Sequence, residues 1–223
     1  MKCYSTLILK GELKTLHRKL SLPDTTSWEQ DIVQTTQCCS SSGCEYSADI
    51  VPIVHSLSQQ LIRAINSERC SLSGSATELL IVLSSGLGRS FAPLVPIFFP
   101  TVLGLCARTN GLFIARAQAC ILAMIRGTQS PFILQCLADS VNHKLASVRL
   151  IAAEGVHVYL HCFKIRAVDT ETRARLVEAV IKSTALDANA DVQHVGKKIL
   201  DAYTAFFPGK AATLVPIFPL MKT

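Results

Sequence analysis

Histidine, cysteine, glycine and serine spacings are where chemistry would first appear in these 223 residues. His157 and His161 stand four apart on a helical pattern, the spacing that turns two imidazoles to one side, as in a zinc-protease pair. That chemistry needs a glutamate directly after the first histidine as general base, and the residue there is Val158. The pair reads instead as half-buried and hydrogen-bonded. Gly86-x-Gly88 would need glycine at 91 and a preceding strand to cradle a dinucleotide phosphate. Position 91 is Phe91, so the glycines read as a helix terminator. Ser73-Gly74-Ser75 lacks the glycine pattern and strand of a nucleophile elbow. Cys38-Cys39 with Cys44 has no second cysteine pair at metal-ligand spacing and reads as a loop coincidence. The expectation is a protein that is no enzyme and has no metal or cofactor.

The cysteines number nine: Cys3, Cys38, Cys39, Cys44, Cys70, Cys106, Cys120, Cys136 and Cys162. The count is odd and several sit inside apolar helical runs, which fits reduced, buried thiols in an intracellular protein. Hydrophobic residues make up 49% of the chain, enough to build a core. The net charge of +6 favours an acidic partner without choosing among acidic proteins, nucleic acid and anionic lipid. Basic runs interleaved with aromatics are missing, which argues against nucleic acid. The longest apolar run, 91–107, is broken by Pro93, Pro96 and Pro100 and reads as an inner helix, so no membrane span is expected.

The elements that must position these residues are helices. A small residue flanked four positions either side by apolar ones recurs as Leu72–Ala76–Leu80, Phe113–Ala117–Ile121, Val148–Ala152–Val156 and Val192–Gly196–Leu200. The central positions are 41, 35 and 44 residues apart. Positions i and i+4 share a helix face, so each copy is an apolar stripe with a notch where a neighbour packs closely. Repeats of this length point to an all-α, HEAT-repeat α-solenoid of about five helix pairs. The spacing predicts helices over 6–20 (with Leu7, Leu13, Leu16 and Leu20 inward), from about 27, and over 48–65, 71–85, 91–107, 111–126, 131–141, 146–162, 170–186 and 190–207. Residues 37–46 read as a loop. Pro208-Gly209 stops the last helix, giving an array over 1–208 and a tail over 209–223.

In such an array the turns within pairs line up along one edge. The residues in or beside them are Trp28, Arg69, Arg108, Asn110, Lys144, Arg149, Lys197 and Lys198, a large aromatic with a row of cations. That combination suits an acidic protein surface.

Five stretches in order carry a family resemblance: Ser27-Trp28-Glu29, residues 87–93 (LGRSFAP), Cys106-Ala107-Arg108-Thr109-Asn110, residues 147–154 (SVRLIAAE) and residues 187–192 (DANADV). Across about Leu13 to Pro208 the chain resembles the TOG-like N-terminal domain of CLASP proteins, microtubule-associated regulators, especially the fungal type. The resemblance implies a paddle-like array whose intra-repeat loops contact tubulin. Trp28 would serve the first repeat and Arg69 the second. Arg108, Thr109 and Asn110 would serve the third, Lys144 and Arg149 the fourth, and Lys197 and Lys198 the fifth. It implies a cytoplasmic, cytoskeletal protein of the microtubules and spindle whose partners are tubulin or microtubules and adaptor proteins. The chain departs from the family pattern at Leu72-Ser73, where valine–arginine is usual, at Gln193 in place of arginine, and at Asp31. A non-catalytic HEAT scaffold that has lost tubulin binding is the alternative reading.

Overall fold

The computed structural model describes residues 2–22, 26–41, 48–162, 170–211 and 214. Every regular element among them is helical. The chain divides into two compact units, Met1–Thr128 and Gln129–Thr223.

The first unit holds three helix pairs. α1 (Lys2–Leu20) pairs with α2 (Trp28–Ser41). A 3-10 turn (Ala48–Ile50), α3 (Val51–Ser56) and α4 (Ser58–Ile65) together pair with α5 (Cys70–Leu87). A 3-10 segment (Gly88–Leu94) and α6 (Val95–Leu105) pair with α7 (Gly111–Thr128). The second unit holds α8 (Pro131–Ser140) with α9 (Ala146–Cys162), α10 (Thr170–Ala185) with α11 (Ala190–Phe206), and a final turn α12 (Pro208–Ala211).

The notches behave as their spacing implies. Leu80, Ala76, Ala117, Ile121, Ala152 and Val156 are all fully buried. At Gly196 a Cβ would run into the Thr184 side chain of α10, and at Gly127 it would press on the Ser84 carbonyl of α5. Small residues here let backbones approach, which is how stacked pairs close their cores.

Several boundaries differ from the sequence expectation, each for a local reason. α2 runs through 37–41, read as loop, and the helix accommodates its polar residues as Thr35, Thr36 and Ser40 donate their hydroxyls to carbonyls one turn back. Cys38 and Cys39 are thus helical, whereas Cys44 lies outside the described residues. The helix expected over 48–65 breaks at Leu57, whose N–H is shared between the Ile53 and Val54 carbonyls while Ser56 Oγ also donates to Ile53. In α1 the inward stripe is Leu9, Leu13, Leu16 and Leu20; Leu7 faces outward. Gly88 ends α5 with φ +53 and ψ −128, a conformation open to glycine alone. α12 and buried Leu214 fall inside the stretch read as a tail, and 212–213 and 215–223 lie outside the described residues.

The stretch Cys70–Leu105 is apolar and long enough, by length and composition, to cross a membrane. In the structure it is two helices interrupted at Gly88, and its Leu79, Leu80, Leu83, Phe91, Phe98, Phe99 and Val102 form the core of the first unit. Burial pushes the thiols of Cys39 and Cys106 up to about 12 and that of Cys136 to about 11, which favours the neutral thiol over the thiolate at each.

Ala152→Leu and Gly196→Ala are each expected to cost about 1–3 kcal/mol by overpacking a close helix contact. Gly11→Ala, in mid-α1 with nothing near its Cβ direction, should instead stabilise by up to about 1 kcal/mol. Denaturant midpoints of the three variants check the contrast.

Candidate functional site

Within each unit, one arginine ties two neighbouring loops together. In the first unit α6 ends in tight turns, with Cys106, Ala107 and Arg108 N–H groups donating to Leu103, Gly104 and Leu105 carbonyls. That geometry sends the Arg108 guanidinium back to residues 66–69. It donates to Glu68 Oε2 at 2.9 Å and to the Asn66 carbonyl at 2.8 Å, and it lies 4.6 Å over the Phe113 ring. Asn110 then starts α7, its Oδ1 accepting from the Leu112 N–H at 2.9 Å.

The second unit repeats the device with better geometry. Arg149 donates from Nε to Asp187 Oδ2 at 2.7 Å and from an Nη to Oδ1 at 2.9 Å, a two-point pair. Its other Nη donates to the His143 and Lys144 carbonyls. Side-chain exposure is 17% for Arg149 and 5% for Asp187, so this pair is largely withdrawn from water. The hydrogen bonds from Arg149 hold the Asp187 carboxyl below its ordinary 3.8, against the opposing effect of burial. Asn189 N–H donates to Asp187 Oδ1, Gln193 Nε2 donates to the Asp187 carbonyl, and Asn189 Oδ1 caps α11 by accepting from the Asp191 and Val192 N–H groups. Ser183 Oγ, in the last turn of α10, donates to Asn142 Oδ1 at 2.7 Å, a second tie beside the first.

These contacts sort the expected site residues. Arg69, Thr109 and Lys144 are exposed on loops. Arg108, Asn110 and Arg149 also lie at the loops, with the internal contacts described above. Trp28, expected as an exposed anchor, is the first residue of α2 and only 2% exposed, packed with Arg63 5.3 Å over its ring. Its burial follows from the i, i+4 stripe it shares with Ile32, which faces the core. Lys197 and Lys198, expected at the fifth loop, sit eight and nine residues beyond Asn189 on the body of α11. At about 1.5 Å per residue that is more than 10 Å from the loop. Lys198 lies instead near His157, whose pKa is lowered by burial first, then by His161 and Lys198. The His157 and His161 Nε2 atoms are 3.1 Å apart.

Sequence reasoning missed the leucines. Leu186, 75% exposed, directly follows α10, and Leu145 precedes α9 with 37% exposure. Leu22 and Leu112 are likewise exposed beside first-unit loops. For Leu22, Leu112 and Leu186 a signal was available, since each falls out of phase with the buried stripe of the adjoining helix, whereas Leu145 is in phase with Val148 and Ala152 and gave none.

Catalytic arrangements are not apparent at these loops. A cleft of about 450 Å³ lies between α2, α5 and α7, starting at their first turns and lined by Glu29, Val33, Ser71, Glu78 and Arg116 among others. Ser71 Oγ donates to Glu29 Oε2 at 2.7 Å, and no histidine lines the cleft. Among the described residues no three His, Cys, Asp or Glu side chains gather to hold a metal.

The family described as CLASP N terminal matches residues 39–218, most of the chain. The chain belongs to the CLASP N-terminal family. This CLASP N-terminal chain is 22% identical over 184 residues to Protein STU1 of Candida albicans (strain SC5314 / ATCC MYA-2876), covering 78% of the chain and 14% of that protein. Its fold is similar to the MAST/Orbit N-terminal domain, with a TM-score of 0.64 at 14% identity, over 91% of this chain and 94% of that one. It is also similar to a chain from the structural basis of microtubule plus end tracking by XMAP215, CLIP-170 and EB1 (TM-score 0.71, 17% identity, 94% and 84% covered). A TOG domain of crescerin, whose array regulates microtubules in the primary cilium, gives 0.65 at 12% identity over 94% and 83%. These likenesses establish a TOG-like fold of HEAT-type pairs.

Breaking the second-unit pair by Asp187→Ala should cost about 1–3 kcal/mol, since a part-buried guanidinium loses two charge-assisted hydrogen bonds. Asp187 is depressed in the fold, so its contribution is complete above 3.8 and disappears as the pH falls through its lower folded value. The stability difference between wild type and variant should therefore be constant near neutrality and begin to narrow as the pH falls below about 4. Urea unfolding from pH 7 to pH 3 measures the plateau and the onset of the narrowing.

Proposed function

We propose that this chain is a non-catalytic, microtubule-associated module that binds tubulin through its intra-repeat loops and thereby modulates microtubule dynamics. Membership of the CLASP N-terminal family carries this reading. Its physical support is the pinned loops, which offer the exposed cations Arg69 and Lys144 together with Thr109. Loops held by Arg108 and Arg149 keep their shape before a partner arrives, which lowers the entropy cost of docking. Exposed cations on rigid loops attract an acidic protein surface and accelerate encounter, an effect that salt weakens. Arg108, Asn110 and Arg149 act in this reading by shaping the loops. Residence on cytoskeletal microtubules, including the spindle, follows from the same proposal, and adaptor proteins would add further attachment.

A second reading, a HEAT-type scaffold that has lost tubulin binding, draws on two observations. Trp28 is buried, and two of the expected contact arginines are engaged internally.

Pelleting with microtubules and gel filtration with soluble tubulin separate the two. The tubulin reading expects binding at low ionic strength that weakens as salt rises. Arg69→Glu and Lys144→Glu should each weaken it several-fold while leaving helicity unchanged. Wild-type chain that neither pellets nor shifts tubulin at low salt would leave the scaffold reading.

A further inference from the structure

Isolated surface leucines are common in any protein and need no explanation. Leu186 and Leu145 differ in how they are held. The backbone on both sides of Leu186 is fixed: its N–H donates to the Ser183 carbonyl, the Asp187 N–H donates to Thr184, and the Asp187 carboxylate and carbonyl accept from Arg149, Asn189 and Gln193. A loop with this many internal bonds could have turned its one large apolar side chain inward, yet Leu186 stands 75% exposed. Leu145 is fixed in the same way, its N–H donating to His143 Nδ1 at 3.2 Å. One guanidinium binds both loops, touching the Lys144 carbonyl beside Leu145 and the Asp187 carboxylate beside Leu186. Each leucine therefore adjoins a residue held by the same guanidinium, and exposed Lys144 directly precedes Leu145.

We infer that Leu186 and Leu145 are the apolar anchor of the second unit, inserting into an apolar depression rimmed by carboxylates, with Lys144 as the complementary charge. The inference rests on the tubulin reading for the identity of that surface. Charge at the 142–145 loop favours this partner class. Arg149 neutralises Asp187 and covers it, leaving the carboxylate 5% exposed, so Lys144 is the exposed charge beside Leu145, while Asp191 is exposed in the first turn of α11. The anchor is preorganised, because no loop must order on docking and leucine has few rotamers to lose. It also supplies what buried Trp28 does not.

The test compares tubulin affinity of the full chain, by fluorescence titration at low and physiological salt, for wild type, Leu186→Ser, Leu186→Ser with Leu145→Ser, and Leu7→Ser as an exposed leucine on α1. Leu186→Ser should weaken binding about tenfold, the scale of losing one buried leucine from an interface. The double variant should lose more, and Leu7→Ser should match wild type. The fold-loss for the leucine variants should be the same at both salt concentrations, since apolar burial is not screened, whereas Lys144→Glu should lose its effect as salt rises. Thermal midpoints check that the variants remain folded, and Leu186→Ser alone suffices if the double variant does not. Leu186→Ser binding within twofold of wild type overturns the inference and leaves the tubulin reading standing. Wild-type chain without tubulin binding overturns both. Self-association abolished by Leu186→Ser would overturn it by assigning the leucines to a second copy of this chain.

Discussion

The two-point pair between Arg149 and Asp187 is the contact on which the second unit's loops depend. A helix pair cannot cover its own apolar face, so neighbouring pairs must stack, and burial supplies most of the driving force. Burial is indifferent to direction, however, and would tolerate small slides of one pair on the next. The pair removes that freedom, because two parallel N–H···O bonds and two carbonyl contacts on one guanidinium fix the loops at 143–144 and 187 together. Arg108 does the same in the first unit with Asn66 and Glu68, more loosely because Glu68 is almost fully exposed. An exposed pair of that kind contributes at most about 1 kcal/mol, so its value lies in loop geometry more than stability.

Much of the fold was legible in the sequence because it is periodic. The small central residues Ala76, Ala117, Ala152 and Gly196 mark the second helix of four pairs; the alanines are fully buried and Gly196 sits against Thr184. Helix ends were legible where Gly88 or Asn189 carries a local signal. The candidate site was harder to read, because its decisive contacts join residues about one repeat apart. Glu68 and Arg108 are separated by 40 residues, Asn142 and Ser183 by 41, and Arg149 and Asp187 by 38. Each partner is visible in the sequence, but the pairing depends on stacking register. Searching for donor and acceptor residues one repeat apart would have marked Arg108 and Arg149 as internal ties. Trp28 shows the opposite limitation. At a helix start beside Ser27 and Glu29 it looks like a turn residue, and only the packing of α2 turns it inward.

The division of the basic residues has a functional consequence. The chain's charge of +6 overstates what a partner meets at the loops, because Arg108 and Arg149 are engaged and Lys197 and Lys198 lie along α11. Binding through the few exposed cations and leucines of one array would be modest. The chain spans about one-seventh of the length of the curated relative it matches, 14%. Linking modules raises affinity by effective concentration without new contacts, so a weak array is a workable component of a larger assembly.

Amide hydrogen exchange of the full chain with and without soluble tubulin at low ionic strength tests the central claim most directly. The account predicts slowed exchange confined to segments 66–69, 108–112, 142–145 and 186–189, with the helix bodies unchanged. Slowing concentrated in the bodies of α2, α5 and α7, or none anywhere at saturating tubulin, would contradict it.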